Sequence, residues 1–372
     1  MRKEELRTPC YVIDMDALED NLKVLASVKE KTGCKILLAQ KAFSAYATYP
    51  LIAKYLDGAT ASSLHEALLG KEEMGKENHV YAPAFREDEI DEILDCVDHI
   101  VFNSMNQLRK YKDKAIQKGV GIGLRINPQH STQEHGIYDP CAKGSRLGTT
   151  IKNLDPSLLE YVDGFHFHTL CEQNSDSLKE TLAVVEEKFG QYMHQMKWIN
   201  FGGGHHITRK DYDIETLVEC IQHVQETYNV TVYLEPGEAI ALNAGSLLTK
   251  VLDIVDNEDQ IAILDTSAAC HMPDVIEMPY RPPLKNSGEA DEKPYPYILS
   301  APTCLAGDII GTYSFDQPLQ EGDTLEFLDM AIYSMVKNNT FNGMKLPDIV
   351  LKEKDDYTVI KEFGYKDFKE RL

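Results

Sequence analysis

One feature constrains this chain more than any other: from residue 34 onward, short apolar runs alternate with segments of helical spacing. The runs are Cys34 to Ala39, Gly58 to Ser62, His79 to Ala82, His99 to Phe102, Gly121 to Ile126, Gly164 to His168, Trp198 to Phe201 and Val230 to Leu234. Between several of them lie amphipathic stretches, at Leu64 to Met74, Glu87 to Val97, Met105 to Gln117, Ser177 to Met193 and Ile214 to Tyr228. Runs this short read as strands buried on both faces, and strands alternating with helices read as parallel βαβ units. Eight units in about 210 residues fit a closed (β/α)8 TIM barrel better than an open doubly wound sheet. Residues 129–148 have no period and read as a long loop of the kind that covers a site.

Past residue 245 the pattern becomes strand-like, with Leu247 to Val255, Gln260 to Leu264, Tyr297 to Leu299, Thr324 to Leu328 and Tyr357 to Ile360 and no long helices between them. This is a second domain, a β-sandwich or β-barrel. The run Tyr11 to Ile13, ahead of a helix from Asp16 to Lys31, is expected to pair with it and make it discontinuous. The expected α/β organisation is therefore a barrel over 34–244 and a β domain over 1–33 and 245–372. Residues 279–296, with five prolines around a polar centre, read as an exposed loop.

Charge narrows the partners. With 38 basic against 60 acidic residues the net charge is −22, which argues against nucleic acid and anionic membrane surfaces and suits a small cationic substrate. No apolar run has the length of a bilayer span or the form of a signal peptide, so a cytoplasmic protein is expected. Eight cysteines lie far apart with no C-x-x-C pair, so neither a disulfide framework nor a cysteine metal clamp is expected, and no metal is assigned.

Barrel active sites sit at the C-terminal ends of the strands. Those ends carry Lys41, Asn103, Arg125 and Asn127, His166-Phe167-His168, Gly202-Gly203-Gly204 and Glu235-Pro236-Gly237-Glu238. A lysine shielded from bulk water loses its proton and attacks a carbonyl, although a surface lysine would leave the same trace in sequence. Three successive glycines let backbone N–H groups surround an anion, or simply make a tight turn. His168 offers a flat ring or a proton carrier, and Glu235 a carboxylate for a protonated ring nitrogen. Together these residues fit an aldehyde, a phosphate, a pyridinium and a flat ring, which is pyridoxal 5′-phosphate.

On these residues the chain resembles the alanine-racemase-type (fold type III) pyridoxal phosphate decarboxylases. The matching motifs are Leu38-Ala39-Gln40-Lys41-Ala42-Phe43, Ser145-Arg146-Leu147-Gly148, His166-Phe167-His168, Gly202-Gly203-Gly204, Glu235-Pro236-Gly237-Glu238, Ala301 to Asp308, and Asp329 to Tyr333 ahead of Phe341-Asn342-Gly343. The resemblance implies that Lys41 carries the cofactor, His168 stacks on its ring, Gly203, Gly204 and Tyr333 hold its phosphate, and Glu235 bonds its nitrogen. It further implies a homodimer with shared active sites, in which Cys304 of a second subunit returns a proton to the substrate's α-carbon; a buried core thiol is the plain alternative for Cys304.

One departure bears on the substrate. Ornithine and diaminopimelate enzymes of the group typically read Glu-Pro-Gly-Arg, whereas this chain ends the motif in Glu238. An acid there favours a substrate with a long cationic arm, with Asp274 and Asp308 as further candidate acids. The alternatives are a diaminopimelate, ornithine or arginine decarboxylase with the same machinery, an inactive relative that binds protein partners, and a metal-dependent hydrolase built on the His166–His168 pair.

Overall fold

The computed structural model describes residues 1–133 and 136–372. The chain divides into two compact units, Met1–Leu18 with Ala241–Leu372, and Glu19–Ile240. The first boundary falls inside the helix Met15–Thr32, so residues 19–33 group with the barrel, not with the β domain as the sequence pattern suggested.

In the larger unit eight strands, Lys35–Ala39, Gly58–Ala61, Glu77–Tyr81, His99–Phe102, Gly121–Asn127, Gly164–His166, Trp198–Asn200 and Thr231–Leu234, pair in parallel with their neighbours. The eighth closes on the first through Tyr233 to Lys35 and Leu234 to Ile36. The eight apolar runs are thus the eight barrel strands. Helices alternate with them, and their ends follow local chemistry. Ser104 caps Met105–Lys118 by accepting the Gln107 N–H, and Gly119, at φ +69°, ends it in the left-handed region. The helix Tyr49–Tyr55 carries no sequence signal strong enough to have been picked out. After the fifth strand a two-residue strand, Thr149–Thr150, and 3₁₀ turns at Ile151–Asn153 and Pro156–Tyr161 replace a helix. The loop expected over 129–148 contains a short 3₁₀ turn, Gly136–Tyr138, while its residues 134 and 135 lie outside the described residues.

A repeated device ties the barrel's lower rim. Asp57, Asp98 and Asp163, each just before a strand, accept the backbone N–H of Ile36, Asn78 and Ile122 in the preceding strand, all at 2.8 Å. Above that rim Trp198 fills the lumen. A Cβ on Gly164 would lie 2.1 Å from its ring and one on Gly123 2.5 Å, so glycine at both positions is a packing requirement.

In the other unit Cys10–Asp14 runs antiparallel to Gly245–Asn257 and parallel to Asp348–Glu353, so the N-terminal strand is built into the C-terminal sheet. The sheet continues through Asp259–Leu264, Tyr295–Ser300 and Ile309–Phe315 on one side and Asp356–Lys361 on the other, and Thr324–Leu328 also pairs with Gly245–Asn257. Ile309–Phe315 and Asp348–Glu353 escaped the pattern reading. Gly311 interrupts the first, and the second ends in charged residues. Residues 279–294 form no helix or named strand, while Tyr295 and Pro296, at the end of the expected loop, already belong to the strand Tyr295–Ser300. Tyr11, Leu247, Leu264, Leu299, Tyr313 and Phe327 form the core of this unit. Among the described residues no helix is long and apolar enough to cross a membrane.

Candidate active site

The strand-end residues converge on the barrel mouth. Lys41 follows the first strand on a loop fixed from below: Gln40 is fully buried, accepts from the Tyr49 hydroxyl at 3.0 Å and donates to the Glu66 carbonyl at 2.9 Å. The Ala39 N–H donates to the Pro236 carbonyl, and a Cβ on Gly237 would lie 2.6 Å from Ala42, so the Glu235-Pro236-Gly237 turn is seated on the lysine loop. The Lys41 amine has no hydrogen bond or ion pair among the described residues. Solvent reaches it through the mouth, but the concave wall leaves few waters around it. That loss of hydration, reinforced by Arg125 and opposed by Glu235, holds the ammonium below the ordinary lysine range.

Glu235 is the fixed negative charge of the site. It is buried, its Oε1 accepts from Asn200 Nδ2 at 2.8 Å, and its Oε2 lies 3.4 Å from His166 Nε2. Burial pushes the carboxyl up, but His166, His79 and Asn200 outweigh it and bring it to about 2. Burial meanwhile pushes His166 down, against the pull of the Glu235 carboxylate. Asn200 is itself fixed, because its Oδ1 accepts the Gly202 N–H at 2.8 Å.

His168 stands on the same wall. Its Nδ1 accepts the Gly203 N–H at 2.8 Å, and its carbonyl accepts from Arg125 Nη2 at 3.0 Å. Loss of hydration, with Lys41 and Arg125 adding to it, pushes the ring well below the usual histidine range, so it is neutral. The glycine turn is sterically obligatory. A Cβ at Gly202 would lie 2.6 Å from the Phe167 carbonyl oxygen, at Gly203 2.6 Å from that of Glu235, and at Gly204 2.0 Å from that of Leu170. Gly203 has already spent its N–H on His168, whereas the Gly204 N–H has no acceptor among the described residues. Of the two N–H groups expected to cradle an anion, that of Gly204 is the one without an acceptor among the described residues.

Several contributors carried no readable role in the sequence. Arg125 is buried with its guanidinium 4.6 Å from the centre of the Tyr81 ring. Asn103 accepts from the Tyr81 hydroxyl and the Gly148 N–H, both at 2.7 Å, and donates to the Arg146 carbonyl at 2.9 Å. Asn127 donates to the Leu147 carbonyl at 2.8 Å, so two strand-end asparagines anchor the Ser145–Gly148 motif. His166 and His168, paired in the hydrolase reading, face different partners, Glu235 and the Gly203 N–H.

Glu238 begins a short helix, with its Oε1 4.0 Å from His206 Nε2 and its side chain 20% exposed.

In the sheet unit, Cys304 is the one exposed cysteine of the eight free thiols, and its N–H donates to Asn342 Oδ1 at 2.8 Å. Asp308 is buried and points inward, accepting from the Ser267 and Thr303 hydroxyls at 2.6 and 2.5 Å and from the Ala269 N–H at 3.2 Å. Its carboxylate serves the loop that carries Cys304, which differs from the substrate role expected of it. Asp274 is paired with the Lys337 ammonium, which also reaches Glu277 at 2.8 Å. Tyr333 sits at φ +56°, ψ −42°, in a γ-turn closed by the Ser334 N–H on the Ile332 carbonyl, a strained backbone of the sort concentrated at functional positions.

A nucleophilic amine and a fixed carboxylate at one mouth suit a cofactor with an aldehyde at one end and a basic ring nitrogen at the other. That places the barrel among the pyridoxal phosphate enzymes, and the residues present fit the group. The chain belongs to the pyridoxal-dependent decarboxylases: the family profile described as "Pyridoxal-dependent decarboxylase, C-terminal sheet domain" matches residues 10–331. It is 46% identical over 377 residues, with 98% of each chain covered, to the carboxynorspermidine/carboxyspermidine decarboxylase of Campylobacter jejuni. It is 40% identical to the carboxyaminopropylagmatine decarboxylase of Synechocystis, covering 100% of this chain and 97% of the other. The crystal structure of C. jejuni carboxynorspermidine decarboxylase complexed with norspermidine superposes with a TM-score of 0.91 at 45% identity, covering 99% of this chain and 100% of that one.

Proposed function

We propose that this chain decarboxylates carboxynorspermidine or carboxyspermidine, yielding norspermidine or spermidine, and so works in polyamine biosynthesis in the cytoplasm. The observation that carries the chemistry is the poorly hydrated Lys41 amine on the same barrel mouth as the ionised Glu235. Pyridoxal phosphate, when bound, supplies the electron sink for the carbanion left as carbon dioxide departs. Lys41 would hold the cofactor's aldehyde. Glu235 would keep the ring nitrogen protonated, the neutral His168 would stack on the ring, and the Gly204 N–H and the Tyr333 hydroxyl would hold the phosphate. Cys304, from a second copy of the chain in a homodimer, delivers the proton to the α-carbon. Asp308 shapes the Cys304 loop.

Glu238 supports the choice of substrate. A carboxylate with a partly exposed side chain near the mouth pairs with a cationic arm, whereas the far carboxylate of diaminopimelate would be repelled. The Synechocystis relative favours a second reading, carboxyaminopropylagmatine, whose far end is a guanidinium in place of an ammonium. Decarboxylation measured side by side on carboxynorspermidine, carboxyspermidine, carboxyaminopropylagmatine, diaminopimelate and ornithine decides among them. Lys41→Ala tests the chemistry: the purified variant is expected to lose both the cofactor's near-visible absorbance and turnover, and unchanged colour and rate would overturn the reading.

A further inference from the structure

Among the buried polar groups of the site that the proposed chemistry does not use is an imidazole on the sixth strand. His166 is 2% exposed, and neither of its ring nitrogens has a hydrogen-bond partner among the described residues. A buried imidazole left in that state costs stability, so its presence calls for a compensating role. Strand register supplies the geometry. His166 on the sixth strand is directly paired with Asn200 on the seventh, and Asn200 with Tyr233 on the eighth, two residues before Glu235. Three neighbouring strand ends thus bring the imidazole, the amide and the carboxylate together. Asn200 holds Oε1 at 2.8 Å, and Nε2 of His166 stands 3.4 Å from Oε2, short of a well-aligned bond.

We propose that His166, with its proton on Nε2, is a positioning residue that donates to Oε2 of Glu235, so that Asn200 and His166 each fix one oxygen and the remaining lone pairs face the cofactor's ring nitrogen. The proposal rests on the reading that Glu235 bonds that nitrogen. A carboxylate held at both oxygens cannot rotate when the ring nitrogen arrives, which is the preorganisation an electrostatic partner needs. Lys41 and Arg125 act on the same group of residues, as does His79, and the Tyr81 ring centre is 5.5 Å from that of His166. None of these is in hydrogen-bonding contact with Oε2, so the assignment falls to His166.

The test uses the holoenzyme loaded with ring-¹⁵N pyridoxal phosphate and the same full chain freed of cofactor, carrying ¹³C-labelled glutamate. His166→Leu removes the donor. It is expected to move the ring ¹⁵N resonance toward the unprotonated position and, at about pH 7.5 where the fold is stable and the carboxylate is ionised, to shift the Glu235 carboxylate ¹³C resonance through loss of the hydrogen bond. His166→Gln, which restores an N–H near Nε2, is expected to return both signals toward wild type. A silent His166→Leu overturns the proposal, as does a Leu effect that Gln fails to rescue, because packing alone would then explain it. Glu235→Gln separates the two levels. If it leaves the ¹⁵N shift unchanged, the Glu235 reading fails; if it moves the shift while His166→Leu does not, only the His166 proposal fails.

Discussion

Nδ1 of His168 accepts the backbone N–H of Gly203 at 2.8 Å. The bond puts the ring's proton on Nε2, fixes the plane of the imidazole, and removes one of the N–H groups that the glycine triplet would otherwise offer an anion. On the proposed reading cofactor phosphate then depends on Gly204, whose φ is +83° and whose missing Cβ makes room for the Leu170 carbonyl.

Gly204→Ala is therefore expected to lower pyridoxal phosphate affinity steeply and to cost stability beyond the roughly 1–3 kcal/mol of a strained backbone position. Gly33→Ala is the control, since Gly33 has φ +68° but open space around it. It should show only the modest stability loss and keep its cofactor. Fluorescence titration of both variants with pyridoxal phosphate, alongside thermal melts, checks the difference. Equal affinity in the two would mean that the glycine turn does not hold the phosphate.

Asp308 gives a prediction about the sheet unit. With three donors on a buried carboxylate, Asp308→Ala strands two hydroxyls and an N–H and is expected to cost about 2–4 kcal/mol in denaturant unfolding. Turnover should fall with it through the Cys304 loop. Asp274→Ala, whose ion pair with Lys337 is half-exposed, should cost under about 1 kcal/mol. A reversed order would refute this assignment of roles.

The barrel was legible because its strands are continuous apolar runs, and period and length alone place such runs. The chemistry at the strand ends was legible where a residue type is unusual in its place: Lys41 after an apolar strand, three glycines in a row, Glu235 before Pro-Gly. Asn200 and Asn103 were opaque, because their work is to orient other groups through bonds to backbone 2 to 45 residues away, and an asparagine's partners leave no local trace. The surroundings of Asp308 were hidden for the same reason. That Ser267 and Thr303 close around this carboxylate leaves no trace in the loop's own residues. The aspartates of the lower rim did leave a pattern, Asp57-Gly58, Asp98-His99 and Asp163-Gly164, but only register explains it.

Cys304 is separated from its siblings by exposure. Burial raises the thiols of Cys10, Cys34 and Cys220 to about 12, 11 and 11, which makes them poor acids and inert fillers. Cys304→Ala is expected to bind cofactor with unchanged absorbance and to lose about 10²- to 10⁴-fold in decarboxylation, the usual contribution of a positioned proton donor. Cys220→Ala should leave the rate within twofold or so, because it alters only packing on the helix Ile214–Tyr228. Comparable rates for the two variants would remove Cys304 from the mechanism.

Buried histidines set the acid limit of the fold. Burial brings His99, His205 and His271 to about 4, while the unfolded chain titrates near the ordinary value of about 6.5. These groups are neutral in the native state, and between those two values the unfolded state binds more protons than the folded one. Stability therefore falls as pH drops below about 6.5 and keeps falling until the native rings protonate near 4. Each fully engaged histidine contributes about 1.4 kcal/mol per pH unit, so three together give a slope of roughly 4 kcal/mol per unit, enough to consume a typical domain's stability before pH 4. His271 is the clearest case. Its Nδ1 accepts the Ser267 N–H at 3.2 Å and its Nε2 donates to the Lys345 carbonyl at 3.0 Å, an arrangement that only the neutral ring satisfies. Urea midpoints measured from pH 7.5 to 4.5 should be level above about 6.5 and decline steeply below it. His271→Gln should reduce that slope even if it lowers the plateau, and a profile flat down to pH 5 would contradict the neutral assignment of all three rings.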